Sequence, residues 1–172
     1  MLRACYFALV GSGFLAYWVI ADPSHDISDS QDEWSYVLAF SGVILSLAFA
    51  IPLFAQLAGG TWTLRIALVA AAGSALSSLA NIFEDGFQID WVFFVFALGA
   101  AVQLVGFLAL VVVVAIGKRG RQRLLALVPL GTAIGIIGFV EAGGPLMFAT
   151  WLGAAVWALA VRLRQVAELG PT

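Results

Sequence analysis

The sequence holds one cysteine, Cys5, and one histidine, His25. An intramolecular disulfide needs a second thiol, so no bridge can staple this fold. Zinc needs several Cys or His ligands at short spacing, and bis-histidine haem ligation needs two histidines in apolar segments; neither set is present. Catalysis of the Ser–His or Cys–His kind lacks its base, since His25 falls in a polar stretch. No Gly-rich phosphate loop leads into a helix, and no ladder of arginines runs through an apolar segment as voltage sensing requires. Charge is scarce altogether. Lys, Arg, Asp and Glu make up 10% of the chain, against roughly 25% in soluble domains. The net charge of −2 gives no support for a nucleic-acid partner. No cofactor is expected.

What fills the chain instead is apolar. Hydrophobic residues are 63% of the 172, and the mean hydropathy is +1.05. A soluble domain of this length exposes too large a share of its surface to hide so much apolar side chain. A bilayer removes that constraint. Crossing its hydrocarbon core of about 30 Å takes about 20 apolar residues as a helix. Six segments qualify: Ala4–Ala21, Trp34–Ala58, Leu64–Phe83, Trp91–Gly117, Leu124–Val140 and Leu146–Val161. The fold class read from them is all-α, a polytopic transmembrane bundle of six helices in one domain, residues 1–172. Met1–Ala21 also has the outline of a signal peptide, but its apolar stretch is longer than the usual ~7–15 residues, so it is read as a retained helix.

Charges set the orientation. All eight basic residues, Arg3, Arg65, Lys118, Arg119, Arg121, Arg123, Arg162 and Arg164, fall on one side of an alternating six-span chain. The other side receives Asp22, Asp26, Asp29, Asp32, Glu33, Glu84, Asp85, Asp90 and Glu141. Basic loops stay inside, so a cell-membrane location with N- and C-termini cytoplasmic is expected. Tyr17, Trp18, Trp34, Tyr36 and Trp91 then lie near the outer interface, and Tyr6 and Trp62 near the inner one.

Three echoes suggest tandem duplication. Eight residues after Arg3, Arg65 and Arg123 come the small pairs Gly11-Ser12, Gly73-Ser74 and Gly131-Thr132, and an acid closes each segment at Asp22, Glu84 and Glu141. Leu98-Gly-Ala-Ala-Val102 recurs as Leu152-Gly-Ala-Ala-Val156. Read together, they divide the chain into helical hairpins at 1–58, 59–117 and 118–165, arranged with pseudo-threefold symmetry about the membrane normal. Limited residue variety in membrane helices would also generate such matches by coincidence.

The third segment carries the most chemistry. Ala67, Ala70, Ser74, Ser77, Ser78, Asn81, Glu84 and Asp85 recur at helical spacing and share a face; Leu68, Ala72, Leu76, Leu79 and Phe83 form the opposite one. A small, hydroxyl-bearing stripe is the ordinary recipe for close helix packing with interhelical hydrogen bonds. The same stripe would serve as the polar wall of an outward-opening cavity ending in Glu84 and Asp85. Those acids, like Glu141, sit at a helix C-terminus, where the macrodipole disfavours negative charge. Water, a cation or an amine would satisfy them. Gln56 and Gln103 are read as interhelical hydrogen-bonding groups, and the acidic stretch Asp22–Glu33 as a solvated connector.

Three function classes fit. A protein binding or transporting a small solute or cation would use Ser74, Ser78, Asn81, Glu84, Asp85 and Glu141 at the outer mouth, with a small cation or amine as ligand. An accessory or scaffold subunit would turn its small-residue stripes outward, toward a membrane-protein partner or further copies of itself. A carboxylate-dependent lipid-modifying enzyme would set two acids face to face across a chamber open to the bilayer. The chain leans away from an enzyme, and the lipid bilayer is the one partner that composition requires.

Overall fold

Among the described residues six α-helices follow one another: α1 (Leu2–Ala21), α2 (Trp34–Ala58), α3 (Thr61–Asn81), α4 (Phe93–Gly117), α5 (Leu127–Ile137) and α6 (Gly144–Leu169). The computed structural model describes residues 2–21, 34–138 and 143–169. The acids of the first connector and Glu141 lie outside them. The all-α reading holds, and among the described residues four helices are long and apolar enough to cross a membrane: Trp34–Gln56, Thr61–Gly86, Asp90–Gly117 and Gly144–Val161.

Each helix packs on its neighbours in sequence, and α6 returns to α1, closing the ring. Neighbours run antiparallel. Phe7 meets Phe49 and Gly11 meets Ser46 between α1 and α2; Ser78 meets Ser41 between α2 and α3. Gly73 meets Gln103, and Gly99 meets Ser77, between α3 and α4. The interior is filled by Phe54 and Leu47 of α2, Phe107 and Leu110 of α4, and Met147 and Trp151 of α6. Outward, every helix presents large apolar side chains, among them Tyr6, Phe49, Leu68, Val105, Ile134 and Leu152. That arrangement leaves apolar surface of the kind a bilayer covers.

The connections explain where the helices stop. Gly59 and Gly60, with φ of 71° and 100°, take left-handed backbone that a side chain would strain, and they turn α2 straight into α3. The fifth helix is shorter than its apolar run. Gly120–Ala126 forms a 3₁₀ turn, and α5 begins only at Leu127. Starting there places Pro129 in the first helical turn, where its missing N–H breaks no bond. The sixth helix is longer than its apolar run, continuing to Leu169 through Arg162 and Arg164.

The small pairs of the odd-numbered helices occupy matching places. Gly11, Gly73 and Gly131 each lie against the following helix, at Ser46, Gln103 and Thr150. The hydroxyls after them, Ser12, Ser74 and Thr132, are buried and donate to the carbonyls of Ala8, Ala70 and Val128, four residues back. The even-numbered echo behaves differently. Gly99 is wedged against Ser77, whereas an added carbon at Gly153 would meet nothing.

Candidate functional site

The face of α3 singled out by its spacing is the buried one. Ala67, Ala70, Ser74, Ser77, Ser78 and Asn81 are all in the interior, while Leu68, Leu76, Leu79 and Phe83 are exposed. Its polar groups bind protein. Ser74 donates to the Ala70 carbonyl (3.0 Å), Ser77 to the Phe96 carbonyl of α4 (3.3 Å) and Ser78 to the Ser41 carbonyl of α2 (2.8 Å). The Asn81 amide donates to the Ser41 hydroxyl (3.2 Å). The stripe therefore ties α3 to both neighbours. Ser74, Ser78 and Asn81 line none of the three cavities described below.

Glu84 and Asp85 follow in a π-helical turn, Ile82–Gly86, that continues α3. Both are half-buried, and Glu84 lies in the field of Asp85 and Asp90. Asp85 in turn lies near the buried phenol of Tyr36. The turn is held from the side by aromatic rings. The Trp34 indole rests on Gly86, where a Cβ would come within 2.8 Å of it; Trp34 meets Phe87 edge-on at 5.4 Å, and Phe87 meets Phe83 at 5.8 Å. Ile89 closes the turn by donating to the Phe83 and Glu84 carbonyls, and Gln88 adopts φ 55° to make the exit. Three acids and three rings thus share one end of the bundle. Among the described residues no three acid, His or Cys side chains converge closely enough to hold a metal ion.

The opposite end is basic. Arg65 stacks over Trp62 at 5.3 Å, Lys118 reaches the side of Gly59, and Arg123 donates to the Lys118 carbonyl (2.9 Å).

Among the described residues, three cavities are lined by no acid. Two are grooves on the outer surface, one between α1 and α2 and one between α3 and α4, of about 580 and 530 Å³. The third, of about 240 Å³, sits among α2, α4, α5 and α6. Its walls are apolar except for Gln103, 1% exposed, whose Nε2 has no hydrogen-bond partner. Gln103 was expected to bond across a helix interface. Instead its amide nitrogen is an orphan: no acceptor pairs with it. Leaving such a donor buried and unpaired costs about 1–3 kcal/mol. Gln56, by contrast, is exposed. Trp151 Nε1, one helical turn beyond the cavity-lining Met147, is a second buried donor without a partner. Compared with known proteins, the chain matches no family model, no curated protein and no solved structure.

Proposed function

We propose that the chain is a multi-pass protein of the cell membrane, with both termini cytoplasmic, and that its outer end binds a small organic cation such as an amine. The observation that carries the ligand is that half-buried Glu84 and Asp85 lie in one stretch of chain with Phe83 and Phe87, and that Trp34 of α2 packs on Gly86 and Phe87 beside them. An ammonium group gains from carboxylates and from ring faces together. An inorganic ion would need several oxygens converging on one point. Glu141, on the connection between α5 and α6, belongs to the same end by the alternation of the helices and is kept as a further candidate.

The test is thermal stability in lipid nanodiscs with phenethylammonium and tetramethylammonium, against potassium at equal ionic strength. Stabilisation by the ammonium ions, lost in Glu84→Gln and Asp85→Asn, is expected; at about 100 times the dissociation constant a ligand adds about 2.7 kcal/mol. Without ligand the neutralised variants should gain some tenths of a kcal/mol, because negative charge at a helix C-terminus is unfavourable. Equal shifts in wild type, Glu84→Gln, Asp85→Asn and Glu141→Gln would remove the carboxylates from consideration.

The orientation rests on the segregation of basic and acidic residues to opposite ends. A reporter inserted at Ser28 should read as external and one at Arg121 as cytoplasmic. The reverse pattern would place the acid turn inside. A tandem origin from three hairpins is part of the same proposal, supported by the matching places of Gly11, Gly73 and Gly131 and of the hydroxyls that follow them. The accessory-subunit reading draws less support, since the small, hydroxyl-bearing stripe of α3 is buried.

A further inference from the structure

We infer that the interior cavity beside Gln103 is a second binding site, for an uncharged, mainly apolar molecule carrying one oxygen acceptor, entering from the bilayer. Two observations meet there. The cavity holds about 240 Å³, more than the roughly 150 Å³ that takes benzene in an engineered apolar site. Its one polar side chain is the Gln103 amide, 99% shielded and without a partner for Nε2. Water suits the space poorly, since an ordered water needs about two to four polar partners and the other walls are Phe40, Ile44, Leu47, Leu104 and Met147. An ion suits it worse, because nothing charged lines it. A ketone, ester or ether oxygen against Nε2, with hydrocarbon filling the rest, satisfies both the donor and the walls.

The way in is lateral. Ala101 of α4 and Ile137 of α5 both line the cavity, and both are exposed, Ile137 by 67%. The cavity thus reaches the surface of the bundle between α4 and α5, where large apolar side chains such as Val105 and Ile134 face outward. Molecules dissolved in the hydrocarbon layer are the ones this opening admits. The site is separate from the acid turn and does not depend on it.

Acetophenone and α-methylstyrene have the same shape and differ in C=O against C=CH₂. Titrated against the full chain in nanodiscs, acetophenone should bind about three- to tenfold tighter, the contribution of one neutral hydrogen bond, and should shift the Gln103 side-chain amide proton downfield. In Gln103→Leu the preference should vanish while α-methylstyrene still binds. Nanodiscs of diester and diether phosphatidylcholine distinguish the natural source of the oxygen. A ketone preference in both lipids assigns the site to a free neutral molecule; a preference only in diether discs means that the ester carbonyl of a lipid already occupies it. Equal binding of ketone and alkene to wild type in both lipids, absence of binding by both, or a preference that survives Gln103→Leu overturns the proposal. Should Gln103→Leu not fold, the wild-type comparison and the amide shift decide alone.

Discussion

Replacing Gly99 by alanine is expected to destabilise the bundle by about 3 kcal/mol, the upper end of the overpacking range, while Gly153→Ala leaves stability unchanged or raises it by up to about 1 kcal/mol. The two glycines stand in the same five-residue motif, Leu-Gly-Ala-Ala-Val, so local sequence gives no reason for a difference. Packing gives one. A Cβ on Gly99 would sit 2.6 Å from Ser77 Oγ, 2.8 Å from Ser77 N and 2.9 Å from the Gly73 carbonyl oxygen. Two of those atoms are backbone and have no rotamer to escape into. Gly73 faces the same difficulty from the other side, 2.7 Å from Gln103 N, and Gly106 presses on Ala70. Relief requires α3 and α4 to part along their length, which also strains the Ser77 bond to Phe96. At Gly153 nothing lies within 4 Å, and alanine brings only its better helix propensity. Reversible unfolding in bicelles, followed by circular dichroism, reads both variants on one scale. Equal tolerance of the two alanines would mean that α3 and α4 do not meet at these glycines.

That contrast marks how far the residues could be read in advance. Apolar length located six helices, because a chain crossing hydrocarbon must satisfy every backbone polar group internally and the helix does so segment by segment. The inward face of α3 was legible too, since Ser74, Ser77, Ser78 and Asn81 recur at helical spacing and hydroxyls seek the interior of such a bundle. Helix ends were less so. The start of α5 is decided by Pro129, a backbone constraint that hydropathy does not register, and the end of α6 by a run of helix formers past its last apolar stretch.

Partner choice was the least visible. A glycine in an apolar helix reads alike whether it faces a helix or the surface, so the Leu98–Val102 echo carried no information about Gly99 and Gly153. Gln103 reads as a bonding residue by type, and its orphan amide shows only once the helices around it are in place, with no acceptor opposite Nε2. The acids at the end of α3 were visible as charges. The π turn and the rings around it were not, because Trp34 comes from another helix, far away in sequence.

The second large effect belongs to Trp151, the largest fully enclosed side chain among the described residues. Trp151→Ala should cost about 3–5 kcal/mol if the site behaves as buried aromatic positions do in soluble proteins. Within a bilayer the transfer part of that figure shrinks, since lipid tails are as apolar as the core. The cavity part remains: the indole meets Phe54 edge-on at 6.3 Å with an interplanar angle of 83°, and its removal leaves a void beside that ring. Trp151→Phe isolates what the N–H contributes. It keeps a ring against Phe54 and deletes Nε1, which has no partner to lose, so its loss should stay within about 1.5 kcal/mol, the range of near volume-conserving swaps. An unpaired donor removed is a gain that offsets part of the lost volume. If Trp151→Phe proves as damaging as Trp151→Ala in the same bicelle unfolding assay, the indole nitrogen holds a partner and the side chain is fixed by a hydrogen bond; a wide gap between the two variants means that shape alone holds it.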